Sequence, residues 1–147
     1  MFSKAKVLLL ILFISCCSST TKENEGSSEP SFDYGTLFLR GSFSWWEADE
    51  NFKVNEVSKG VYRVIVELVA DGQPYDFKFA DKGWTNGLSC GFLDKEDDEI
   101  ISLGKKVSVN CYTLVDNFIF IPEESGKYIF SIDFSGWGDP RLTVDKL

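Results

Sequence analysis

From Val61 to Val69 the chain alternates in polarity: Tyr62, Val64, Val66 and Leu68 share one parity, while Arg63 and Glu67 share the other. Successive side chains of an extended strand point to opposite faces, so this segment buries one face of a sheet and wets the other. The same signature recurs on both sides of it. Thr36 to Phe43 carries Leu37, Leu39 and Phe43 on one parity, and Tyr75 to Ala80 places Tyr75, Phe77 and Phe79 toward a core with Asp76, Lys78 and Ala80 facing away. Phe52-Lys53-Val54 reads as a short strand leading to a turn at Ser58-Lys59-Gly60. Asp71-Gly72-Gln73-Pro74 is a strong turn signal, after which Tyr75 to Ala80 is expected to return as the hairpin partner of the Val61–Val69 strand. Gly83 to Leu93 reads as irregular. Ile100–Leu103, Val107–Val109, Asn117–Ile121, Lys127–Phe134 and Arg141–Lys146 complete the strand set, with Pro122 to Gly126 as the hairpin turn between two of them. No segment keeps a helical period beyond one or two turns. Seven or eight short antiparallel strands in about 115 residues predict an all-β, immunoglobulin-like β-sandwich.

The N-terminal stretch follows other rules. Met1 to Lys6 is short and basic, and Val7 to Ile14 is an apolar run too short to span a bilayer but suited to a secretory signal. Phe13-Ile14-Ser15-Cys16 resembles the bacterial lipobox, which implies cleavage before Cys16 and lipid attachment to it; Cys17 is then a neighbouring thiol without an assigned role. No Asp follows Cys16, which favours the outer membrane in a Gram-negative envelope. Ser18 to Ser31 holds no aliphatic residue and reads as a disordered tether. The expected organisation is therefore a signal peptide at 1–15, a tether at 16–31 and one domain at 32–147.

Charge and cysteine content narrow the function. The chain has 15 basic residues; without Lys4 and Lys6 it keeps 13 against 23 acidic ones, a net of −10. That sign argues against nucleic acid and against anionic headgroups as partners, which leaves the lipid anchor as the one expected membrane attachment. There is no histidine, so the usual zinc sites and Ser-His or Cys-His nucleophile pairs are excluded. The acidic run Asp94 to Glu99 lacks the spacing and glycine of a calcium loop and reads as solvated; neither a metal nor a cofactor is expected. In an exported chain Cys90 and Cys111 are most simply a disulfide.

The segment Arg40-Gly41-Ser42-Phe43-Ser44-Trp45-Trp46 runs from a strand into a turn bearing two adjacent tryptophans. Together with Phe77-Lys78-Phe79 and Asp81-Lys82-Gly83-Trp84-Thr85, it resembles the glycogen-binding early-set module found in the β subunit of AMP-activated protein kinase and before the catalytic domains of isoamylases, pullulanases and branching enzymes. The Tyr-x-Phe-Lys-Phe-Ala strand and the late Asn117, Gly126-Lys127-Tyr128, Asp133 and Pro140 pattern look closest to the pullulanase type. The resemblance spans Thr36 to Val144 and implies that Trp46, Lys78 and Trp84 contact an α-glucan. The physical chemistry agrees: an outward lysine donates to sugar hydroxyls, and an indole face stacks on the apolar face of a pyranose. Ser44 departs from the Asn usual at its position. The insertion containing Cys90, the acidic run and Cys111 also departs from the kinase-type module. Trp45 and Trp137 are additional aromatic candidates that the resemblance does not cover.

The expected function is a non-catalytic α-glucan-binding lipoprotein of the bacterial envelope. The alternative is an envelope lipoprotein with the same sandwich that binds a protein partner and no sugar. An enzyme is disfavoured, because the domain is too small for the barrel that accompanies such modules in glucan hydrolases, and nothing sets two carboxylates across a cleft.

Overall fold

The alternating segment forms the longest of the early strands, β3 (Val61–Leu68), with Tyr62, Val64, Val66 and Leu68 buried and Arg63, Ile65 and Glu67 exposed. A computed structural model describes residues 31–147, which make one compact unit. The proposed signal peptide, lipidation at Cys16 and all but the last residue of the tether lie outside the described residues. The fold is nearly all β: ten strands, β1 (Phe38–Gly41), β2 (Asn55–Ser58), β3, β4 (Tyr75–Ala80), β5 (Ser89–Phe92), β6 (Ile100–Ile101), β7 (Val107–Asn110), β8 (Phe118–Phe120), β9 (Gly126–Asp133) and β10 (Arg141–Lys146). Ten strands stand where seven or eight were expected; β5 lies in the stretch read as irregular, because it carries little strand pattern of its own, while β6 keeps two residues of the expected Ile100–Leu103 strand.

The strands run β2-β3-β9-β10-β7 in one layer and β5-β4-β8-β6 in the other, with β1 on the free edge of β4. A two-residue ladder, Gly91 with Asn110 and Phe92 with Val109, joins the layers through β5 and β7. The layers face each other across an aromatic core. Phe77 of β4 meets Phe130 of β9 edge-on at 4.9 Å, and Phe120 of β8 meets Tyr128 of β9 at 5.2 Å, although neither pair shares a ladder. This is the predicted sandwich, with one parallel pair, β6 with β8, among antiparallel neighbours.

Two expected hairpins are crossovers instead. β3 pairs with β2 and β9, whereas β4 pairs with β1, β5 and β8, so the Asp71–Pro74 turn carries the chain from one layer to the other. The Pro122–Gly126 turn does the same between β8 and β9. Turn residues fix where the chain reverses but not whether the next strand lies beside or above the last. Here both strands at each turn own a strongly apolar face, and stacking those faces buries more than pairing edges does. The Phe52–Val54 strand is likewise displaced: Glu50–Phe52 is a 3-10 turn capped by Asp49, and β2 begins at Asn55. Nor is the acidic run a plain solvated loop. Lys95–Asp98 forms one helical turn capped by Asp94, and the buried Asp98 carboxylate accepts from the backbone N–H groups of Asp94 (3.1 Å) and Ser108 (2.9 Å). The Cys90–Cys111 disulfide is present and ties β5 to the end of β7.

Candidate functional site

β1 and β4 pair so that Leu39 stands opposite Phe79 on the core face, and Arg40 opposite Lys78 on the outer face. Both cations are buried, Arg40 at 6% and Lys78 at 1% exposure. Like charges in register on one face repel, and burial removes the water that would screen them. The surrounding backbone compensates. Arg40 Nε donates to the Trp46 carbonyl at 2.7 Å and Nη1 to the Asp81 carbonyl at 2.8 Å; Lys78 Nζ donates to the Thr113 carbonyl at 2.8 Å. Burial pulls the Lys78 pKa down to about 8, against an opposing pull from the Asp116 carboxylate. Burial also lowers the Arg40 pKa, opposed by the carboxylates of Glu47 and Asp81.

The first tryptophan turn is built by small polar contacts. After β1, Ser42–Ser44 makes a 3-10 turn in which the buried Ser44 hydroxyl accepts from Gly41 N–H at 3.1 Å and lies 3.2 Å from the Gly41 carbonyl, to which it donates. Ser44 therefore closes the turn, which accounts for a short side chain where Asn is usual. Gly41 is obligatory, since a Cβ there would lie 2.4 Å from the Asp76 carbonyl oxygen. Trp45 and Trp46 follow in the left-handed region, at φ 53° and 63°. Trp84 stands at φ 53° in the loop after β4. That loop is organised by Asp81, whose carboxylate accepts from Thr85 N–H (2.8 Å) and from its hydroxyl (2.5 Å). Left-handed conformations cost a bulky residue about 1–3 kcal/mol each and persist only where neighbours enforce them, typically at ligand-binding positions.

Trp46, Lys78 and Trp84, the three residues singled out in the sequence, line one open depression of about 220 Å³ together with Leu114 and Asn117. Trp46 and Trp84 are partly exposed there, and the Arg40 guanidinium covers one face of Trp84 at 3.6 Å from the ring centroid. Lys78 points to the outer face as strand parity required, but it is not exposed: the Thr113–Asn117 segment covers it. Thr113 anchors that segment, its carbonyl accepting also from Ser89 Oγ (2.7 Å) and its hydroxyl donating to Asp116 (2.6 Å). Neither Leu114 nor Asn117 is among the residues expected at the site: Leu114 lies in an irregular stretch with no pattern to place it over β4, and Asn117 enters the sequence reading only as the start of a strand and part of the pullulanase-like pattern. Trp45 is 87% and Trp137 105% exposed, and neither lines this depression.

Taken together, fold and site define an all-β sandwich with an aromatic, partly polar depression on its outer face. Among solved structures the chain is similar to a starch-binding domain described as the ligand-induced structure of AmyP-SBD. The two match with a TM-score of 0.55 and 20% identity over 99% of each chain. At that identity the likeness establishes the fold. No family model matches the sequence, and no curated protein does.

Proposed function

We propose that this chain is a non-catalytic α-glucan-binding module, held at the bacterial envelope by a lipid on Cys16. The observation that carries the reading is the convergence of Trp46, Lys78 and Trp84 on one depression from three separate segments, two of them in enforced left-handed turns. Indole surfaces stack on sugar rings, Leu114 adds apolar contact, and the Lys78 ammonium has donors beyond the one given to Thr113. Asn117, whose amide carries both a donor and an acceptor, lines the same depression. The starch-binding domain with the same fold and the resemblance to glycogen-binding, pullulanase-type modules point to the same ligand class. Two stacked sugars and a few hydrogen bonds correspond to weak affinity, on the order of micromolar to millimolar, which many copies on one membrane would raise by avidity.

The rival reading is an envelope interaction module without sugar binding. It draws on Lys78, whose ammonium is already bonded to the Thr113 carbonyl and 1% exposed. Affinity electrophoresis separates the two. In gels containing glycogen, pullulan or dextran, the α-glucan reading expects retardation by glycogen and pullulan and its loss in Trp84→Ala. Free migration in all three gels leaves the interaction module. Anchoring is tested apart from binding: fatty-acid labelling of the wild-type chain, absent in Cys16→Ser, is the expected result.

A further inference from the structure

The two tryptophan turns come from stretches about 40 residues apart and share no hydrogen bond with each other. One side chain touches both. The Arg40 guanidinium donates from Nε to the Trp46 carbonyl (2.7 Å), donates from Nη1 to the Asp81 carbonyl that opens the Trp84 loop (2.8 Å), and sits over the Trp84 indole with its carbon 3.6 Å from the ring centroid. It is absent from the lining of the depression and is 6% exposed. A guanidinium alone combines a flat face with donors on two sides; an ammonium has neither plane nor fork. The position is also a poor one for stability, since it sets a second buried cation in register with Lys78. A residue that breaks a local rule in this way, at a site with two strained turns, has a role beyond holding the strand.

We propose that Arg40 is the positioning residue of the glucan site: it touches no sugar, but it sets the spacing and tilt of Trp46 and Trp84 at once. The proposal rests on the α-glucan reading. It implies that Arg40→Lys, which keeps the charge, weakens binding about tenfold, on the scale of a lost buried cation–π stack.

The test uses the full-length chain solubilised in a non-ionic detergent and labelled with 5-fluorotryptophan. Trp→Phe variants assign the four fluorine resonances. In Arg40→Lys and Arg40→Met we expect cooperative thermal unfolding to persist, the Trp84 and Trp46 resonances to move, the Trp137 resonance to stay, and glycogen retardation to fall about tenfold. Wild-type retardation with unmoved Trp84 and Trp46 resonances overturns the proposal. So does loss of cooperative unfolding in both variants, which makes Arg40 a folding residue only. If the wild-type chain itself migrates freely in glycogen, the glucan reading fails; selective movement of the Trp84 and Trp46 resonances then still upholds Arg40 as the residue that positions them.

Discussion

Lys78 is where the expected and observed site differ most, and its environment makes a sign that can be measured. A lysine with a folded pKa near 8 and an ordinary unfolded value of 10.5 binds fewer protons folded than unfolded between those limits. Stability must then rise with pH across that window, because the penalty for burying the cation disappears as the folded state deprotonates. We expect the urea midpoint of the wild type to rise from pH 8 to pH 10 relative to that of Lys78→Met, which has nothing to titrate there. Taking the difference cancels the other titrating groups, and parallel curves would refute the burial of this charge. The exposed tryptophans give the opposite expectation. Trp137, wholly in solvent between Gly136 and Gly138, should tolerate Ala within about 0.5 kcal/mol of wild-type stability in urea. Trp84→Ala exposes the buried Arg40 guanidinium and should not be so mild.

At the level of elements, strand identity was legible and strand partnership was not. β4 and β10 appear at the residues read for them, and β3 and β9 within one residue at each end, since a two-residue period needs only local sequence. Pairing depends on which apolar face covers which, and Val61–Leu68 carries no mark that it pairs with β2 and β9 in one layer while β4 lies in the other. β5 was invisible for a different reason. Ser89-Cys90-Gly91-Phe92 has little strand preference, and its conformation comes from β4 on one side and β7 on the other. The site divides the same way: Trp46, Lys78 and Trp84 were legible through adjacent motifs, whereas Leu114 and Asn117 are brought in by a loop whose position is tertiary. Gly91 is what lets that loop approach, for a Cβ there would lie 1.7 Å from the Asp116 carbonyl oxygen. Gly91→Ala should therefore cost about 1–3 kcal/mol in urea unfolding through overpacking and also weaken glucan retardation, because the displaced segment covers Lys78. Lost stability with unchanged retardation would separate the loop from the site.

For the whole molecule, the weak place is the join between layers. One layer is held by long ladders, β3 with β9 over eight residue pairs and β9 with β10 over six, and the other by shorter ones, the longest being β1 with β4 over four. The two layers share hydrogen bonds in the two-pair ladder of β5 with β7. The Cys90–Cys111 disulfide lies directly beside that ladder, across a sequence separation of 21 residues. By the chain-entropy model it stabilises the fold by about 3 kcal/mol, a large share of the margin of a domain this size. It has a second effect through its neighbours. Ser89 precedes one cysteine and Thr113 follows the other by two residues, and Ser89 Oγ and Lys78 Nζ both bond the Thr113 carbonyl. The covalent join therefore also fixes the segment that carries Leu114 and Asn117 to the depression lined by Trp46 and Trp84. Replacing both cysteines by alanine should lower unfolding stability by about 3 kcal/mol, with hydrogen exchange rising first at β5 and β7 amides while β3 and β9 stay protected. On the proposed α-glucan function, retardation in glycogen gels should fall in the same variant even where it remains folded. Uniform loss of protection across both layers would instead mean that the join opens only with the whole sandwich, and that the disulfide acts on the unfolded chain alone.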